Sequence, residues 1–220
     1  MVASKAAVGF CQDPDADRLA LIDEKGRYVG EEYTLAVCLQ HILKTRKGAV
    51  VTNCSTSRMS EDIANEAGVP FFRSKVGEAN VSDVMMANDA VFGGEGNGGP
   101  IDPTVGYVRD SFVGMALVLD CMAETGKPLS QLVDELPQYA IHKSKVPLER
   151  EKLNAAYDQL ESHFSDAKAD RLDGLRLDWD NKWLLIRASN TEPIARIIAE
   201  APSAEDAASL CEQSARIMQG

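Results

Sequence analysis

The densest chemistry in the sequence is an acidic run, Asp13-Pro14-Asp15-Ala16-Asp17-Arg18, which sets carboxylates at alternate positions directly after a short apolar stretch. On a tight loop such carboxylates converge on one hard cation, and Mg²⁺ takes oxygen ligands while keeping positions open for substrate oxygens. Asp13, Asp15 and Asp17 are therefore the candidate metal ligands, and Arg18 adds a guanidinium fork suited to a phosphate or a sugar hydroxyl. Other readings compete. An acidic triplet is most often a solvated turn. An EF-hand would place Glu24 at its last ligand position, but Arg18 stands where that loop needs glycine, and residues 19–22 have strand character. An aspartyl-phosphatase would make Asp13 a phosphorylated nucleophile at a strand end.

Two further runs carry polar groups in useful patterns. Phe92-Gly93-Gly94-Glu95-Gly96-Asn97-Gly98-Gly99-Pro100 lets backbone approach a ligand closely, while Glu95 and Asn97 offer an acceptor pair and an amide to neighbouring sugar hydroxyls. Taken alone it is an ordinary flexible turn. No Lys-Ser/Thr pair follows as in a phosphate-cradling nucleotide loop, and it does not open a helix as a dinucleotide fingerprint does. Arg187-Ala188-Ser189-Asn190-Thr191-Glu192-Pro193, with Arg196 just beyond, combines guanidinium, hydroxyls, an amide and turn N–H groups into a phosphate cradle. The plain alternative is a hairpin turn. Arg187 emerges from the apolar run Trp183-Leu184-Leu185-Ile186, which calls for an anionic partner.

These runs need elements to hold them. Apolar stretches at 6–10 and 19–23 predict strands flanking the acidic loop, and the stripe Leu35, Cys38, Leu39, Ile42, Leu43 predicts a helix. Strands at 49–52, 71–72 and 90–92 then alternate with helices at 57–67 and 79–86, followed by helices at 110–124 and 128–135. That rhythm predicts a three-layer α/β domain with a mainly parallel mixed sheet. After about residue 140 the pattern changes. A strand at 140–145, a helix at 148–164, a hairpin of 174–179 with 183–187, a strand at 196–200 and a helix at 204–218 predict a smaller α+β domain with an antiparallel sheet.

Composition narrows the function. The 220 residues carry a net charge of −11, which argues against nucleic acid as partner, because phosphate polymers demand excess Lys and Arg. A small anionic substrate remains compatible, since a few focused arginines override the global field. Five scattered cysteines suit a reducing compartment, and the start has no leader pattern, so the expectation is a cytoplasmic protein without membrane contact.

In this order the three loops resemble the phosphohexomutase (phosphoglucomutase/phosphomannomutase) superfamily. Its metal loop Asp-x-Asp-x-Asp-Arg is matched by Asp13 to Arg18, its sugar loop Gly-Glu-x-Ser/Asn-Gly by Gly94 to Gly98, and its phosphate loop Arg-x-Ser-Asn-Thr by Arg187 to Thr191. The loops are most similar to the phosphoglucosamine mutase and archaeal-type branches. The resemblance implies an isomerase that interconverts hexose or hexosamine 1-phosphate and 6-phosphate through a bisphosphate intermediate with Mg²⁺. It assigns Asp13, Asp15 and Asp17 to the metal, Arg18 to the reacting centre, and Glu95 and Asn97 to the sugar. Arg187, Ser189, Asn190, Thr191 and Arg196 fall to the non-reacting phosphate. Lys75 and Glu78, in a stretch similar to the loop ahead of the sugar site, join the pocket or else lie on a surface loop.

The departures are equally informative. The family's Thr-x-Ser-His-Asn-Pro phosphoserine loop is not in these 220 residues, Gly99 stands where many members carry histidine, and Pro14 replaces a glycine. The resemblance divides the chain into a remnant of the second domain with the metal loop (1–27), the third domain (28–140) and the fourth (141–220). It implies the C-terminal half of a chain about twice as long, truncated, with the missing N-terminal half as partner and no mutase activity alone. The alternatives are a Mg²⁺-dependent aspartyl-phosphatase and a non-catalytic sugar-phosphate-binding module.

Overall fold

The computed structural model describes residues 2–189 and 192–219, which form two compact units, Met1–Pro137 and Gln138–Gly220. In the first, β1 (Gly9–Gln12) and β2 (Leu19–Ile22) pair antiparallel from Gly9↔Ile22 to Gln12↔Leu19, so the acidic run is the connecting loop of a hairpin. β1 lies later than the apolar stretch suggested, because its partner β2 sets the register. Leu19 and Leu21 are fully buried, which anchors that register.

A second sheet runs β4 (Phe71–Ser74), β3 (Val50–Asn53), β5 (Phe92–Glu95) and β6 (Gly99–Ile101). The first three are parallel and β6 returns antiparallel to β5. Around it lie α1 (Glu31–Thr45), α2 (Met59–Glu66), α3 (Glu78–Ala87), α4 (Ser111–Thr125) and α5 (Leu129–Asp134). Neighbouring residues on a strand point to opposite faces. On β5, Gly93 faces Met85 of α3 while Gly94 faces Leu35 of α1, which sets the layers as helix, sheet, helix. Asp110 caps α4 by accepting from the Phe112 and Val113 amides at 2.8 and 3.1 Å, and Gly126 closes it with φ 67°.

The glycine run is not the loop its composition suggests. The sheet extends into it as the β5–β6 hairpin, and only residues 96–98 form the turn. Glycine weakens an isolated strand, but here close packing on both faces excludes larger side chains.

The second unit is a five-stranded antiparallel sheet, β7 (Ala140–Pro147), β11 (Ile194–Ala201), β10 (Trp183–Ala188), β9 (Leu175–Asp178) and β8 (Lys168–Asp170) in spatial order. Leu184, Ile186, Ala195, Ile197 and Ala199 join Leu160 of α6 (Leu153–His163) and Leu210 of α7 (Ala204–Gln219) in one core. The helix expected from 148 starts at Leu153, after a short 3₁₀ turn at Arg150–Lys152, because the Leu148 amide is drawn to the Pro193 carbonyl at 3.1 Å. β8 is wholly exposed, so no apolar alternation announced it. No helix among the described residues is long and apolar enough to cross a membrane.

Candidate active site

The β1–β2 loop is tied down at both ends. Ser111 at the start of α4 donates to the Ala16 carbonyl at 2.6 Å and accepts from Gln12 at 2.6 Å, and the Leu19 amide donates to the Gly98 carbonyl at 2.8 Å. The last bond joins the acidic loop directly to the glycine hairpin. Gly98 has φ 84°, and a Cβ there would collide with the Leu19 carbonyl, so this approach requires glycine. Ala16 sits at φ 58°, a left-handed conformation that a β-carbon disfavours by about 1–2 kcal/mol.

Within the loop, Asp13 and Asp17 share the Arg18 guanidinium, at 3.6 and 3.9 Å, while Asp15 is exposed at the tip. Burial raises the Asp17 pKa above its ordinary value; Arg109 opposes this and the neighbouring Asp13 carboxylate adds to it. Asp17 Oδ1 is buried and has no hydrogen-bond partner. An orphaned carboxylate oxygen beside a second carboxylate is a donor set that fits a hard cation such as Mg²⁺. Among the described residues, however, no three His, Cys, Asp or Glu side chains are grouped to hold a metal ion, so the fit rests on Asp13 and Asp17 and not on the full triplet.

Glu95 lies at the end of β5 and is nearly fully buried. Its Oε1 accepts from Asn53 at 2.6 Å and from the Gly77 amide at 3.0 Å; its Oε2 accepts from Asn97 at 3.2 Å and faces Arg109 Nη1 at 3.0 Å. A carboxylate offers about four lone-pair sites, and four donors already use them. Glu95 is thus a hub as well as a candidate sugar contact. The acceptor still open is Asn97 Oδ1, buried with no partner and ready for a hydroxyl or amine hydrogen.

Arg109, which no motif marked, holds the site together. It reaches Asp17 Oδ2 at 2.5 Å, Glu78 Oε2 at 3.0 Å and Glu95 Oε2 at 3.0 Å, with only 14% of its side chain exposed. Burial alone would lower its pKa, but Glu78, Glu95 and Asp17 outweigh that and raise it. Glu78, first residue of α3, also accepts from the Arg109 amide at 3.0 Å and so belongs to the cluster, whereas Lys75 lies exposed in the loop before α3. The one signal for Arg109 was charge balance: Asp13, Asp17, Glu78 and Glu95 exceed what Arg18 neutralises.

In the second unit Arg187 lies next to the end of β10 and pairs with Asp173 at 2.9 Å, so the anion its position demanded is internal. The Ser189 amide donates to the Ile194 carbonyl at 2.9 Å, closing the turn. Asn190 and Thr191 lie outside the described residues. Register places Arg187 opposite Arg196, and Arg196 opposite Lys145 of β7. Three cations thus stand in one row across three strands, with Arg196 and Lys145 exposed. Like charges directly opposite destabilise a sheet, and a bound anion relieves that. Lys145 was invisible before the β7–β11 pairing was known.

Comparison with known proteins decides the family. The family model described as phosphoglucomutase/phosphomannomutase alpha/beta/alpha domain III matches residues 30–139, and that of the phosphoglucomutase/phosphomannomutase C-terminal domain matches 143–217. The chain belongs to the phosphoglucomutase/phosphomannomutase family. It is 37% identical to a phosphoglucomutase/phosphomannomutase of Thermococcus kodakarensis, over 97% of this chain and 47% of that protein. Identity to a phosphoglucosamine mutase of Methanocaldococcus jannaschii is 32%, over 96% of this chain and 48% of that protein. The chain spans about half the length of the curated relatives it matches. Its fold is that of a phosphoglucomutase/phosphomannomutase family protein from Burkholderia thailandensis, with TM-score 0.83 at 24% identity over 99% of this chain and 47% of that one. It is also that of Aspergillus fumigatus N-acetylphosphoglucosamine mutase, solved with GlcNAc-6P and magnesium, with TM-score 0.69 at 18% identity over 94% and 48%.

Proposed function

We propose that these residues are the C-terminal part of a phosphohexomutase that interconverts hexose or hexosamine 1-phosphate and 6-phosphate through a bisphosphate. The observation that carries the reading is the union of the acidic loop and the glycine hairpin by the Leu19–Gly98 bond and by Arg109. Residues 1–27 are read as the tail of the second domain, 28–140 as the third and 141–220 as the fourth. The five cysteines are free, which suits a reducing compartment, and we place the enzyme in the cytoplasm.

On this reading Asp13 and Asp17, with Asp15 at the loop tip, would hold Mg²⁺, which would neutralise charge on a phosphoryl group in transfer. Arg18 orients the phosphoryl oxygens. Asn97, braced by Glu95, reads ring hydroxyls, and its open Oδ1 accepts from an amine or hydroxyl. Arg187, Arg196 and Lys145, with Ser189, Asn190 and Thr191, clamp the phosphate that does not react. Positioning and charge neutralisation supply the rate. The phosphoryl-donating serine has no counterpart loop in the 220 residues, so the chain alone does not turn over.

The test mixes the purified chain with glucose 1-phosphate, a glucose bisphosphate primer and Mg²⁺, alone and joined to the N-terminal half of a relative. The expected result is isomerisation only in the joined form. Isomerisation by the chain alone would overturn the claim of incompetence. Release of inorganic phosphate, lost in Asp13→Asn, would establish the phosphatase instead, and binding without turnover in the joined form would leave a binding module.

A further inference from the structure

Arg109 lies between two groups with different tasks. One arm of its fork covers Asp17 Oδ2, whose other oxygen has no hydrogen-bond partner, and the other covers Glu95 Oε2, which also accepts from Asn97, whose Oδ1 is likewise open. Its Nε and its backbone amide both rest on Glu78, which fixes the stem while the two arms reach outward. Gly99 makes the space: a Cβ there would collide with Arg109 Cδ and approach its Cγ to 2.8 Å. The φ of Gly99 lies outside the left-handed range, so the missing side chain and not the backbone explains this glycine.

We propose that Arg109 is a positioning residue that acts as an internal counter-ion for both subsites and couples them, so that Mg²⁺ and hexose phosphate each strengthen the binding of the other. The inference rests on the reading of the site given above. A cation arriving at Asp17 repels the nearer arm and takes over its carboxylate. A guanidinium held at three carboxylates is bound as a chelate, and losing one anchor weakens its hold on the others. Glu95 Oε2 then yields more readily, which lets Asn97 and Glu95 rearrange around a sugar hydroxyl. The reverse order has the same effect, because coupling between two ligands is reciprocal. Lysine keeps the charge but has no fork, so it serves one carboxylate at a time.

The experiment is titration calorimetry on the 220-residue chain, measuring Mg²⁺ affinity with and without glucose 1-phosphate, and glucose 1-phosphate affinity with and without Mg²⁺. The wild-type chain is expected to bind each ligand about tenfold more tightly in the presence of the other, within the usual range of such couplings. In Arg109→Lys, and in Gly99→Ala, which displaces the arginine without removing it, the factor falls to about one by the same relation. Thermal melting checks that both variants stay folded, and loss of packing alone would weaken each ligand without changing the ratio. Coupling that persists in both variants, or wild-type ligands that bind independently, would overturn the proposal. Failure of the wild-type chain to bind either ligand would instead overturn the reading of the site and the inference with it.

Discussion

In the first unit Glu95 is surrounded by four nitrogen donors and Arg109 by three carboxylates, all in a largely buried cluster. In the second, Lys145, Arg196 and Arg187 stand side by side across β7, β11 and β10, two of them exposed, with Asp173 paired to Arg187. The first arrangement is complete before any ligand arrives, apart from Asp17 Oδ1 and Asn97 Oδ1. The second concentrates like charge and gains from an anion. Charge satisfied in the fold supports stability and pre-organises the site; charge left unbalanced supports binding at a cost in stability. Substitutions in the first region should therefore lower stability, whereas those in the second should lower affinity without lowering stability.

The largest effect is expected at Arg109. Arg109→Met leaves three carboxylates facing each other and should cost about 3–5 kcal/mol in urea unfolding, as breaking a buried pair does. A loss below about 1 kcal/mol, the level of an exposed pair, would place the cluster with surface charges and erase the contrast.

Acid sharpens the same side. Burial raises the pKa of Asp23 and Asp102, but hydrogen bonds from Arg27 and Arg46 respectively outweigh it, and both end below their ordinary value of 3.8. A folded pKa depressed in this way adds stability above the unfolded value and loses it as pH falls through the folded one. Denaturation monitored by circular dichroism should show stability flat above about pH 5 and falling below the ordinary carboxylate range, less steeply in Asp23→Asn.

Arg187→Ala removes a charge-assisted contact and should weaken hexose-phosphate binding by about 1.5–3 kcal/mol, roughly tenfold to a hundredfold. Ala16→Gly relieves the left-handed strain and should stabilise the chain by about 1 kcal/mol. The smallest effect is the most discriminating. Arg196→Ala should weaken phosphate binding yet raise stability by about 0.2–1 kcal/mol, because it removes a like charge from the row. A stability loss there would make the second region resemble the first.

Much of this was legible beforehand, for identifiable reasons. The α/β alternation followed from apolar periodicity, and the acidic loop, the glycine run and the Arg-Ser-Asn-Thr run stood out because their polar groups cluster within a few residues. The contacts that build the site were not local. Arg109 reaches Asp17, Glu78 and Glu95 from a loop without a motif, and Lys145 meets Arg196 only through strand register. Gly98 and Gly99 read as room for a ligand, whereas the Leu19 carbonyl and the Arg109 side chain take that room. Spacing along the chain reveals what a loop offers, but only tertiary packing reveals which offers are already taken.

An amide NMR titration of the 220-residue chain with glucose 1-phosphate in the presence of Mg²⁺ tests the proposed site. Shifts are expected in residues 94–98 of the first unit and, independently, in residues 187–196 of the second, the latter diminished in Arg187→Ala. Shifts confined to other surfaces, or none at saturating ligand, would contradict it.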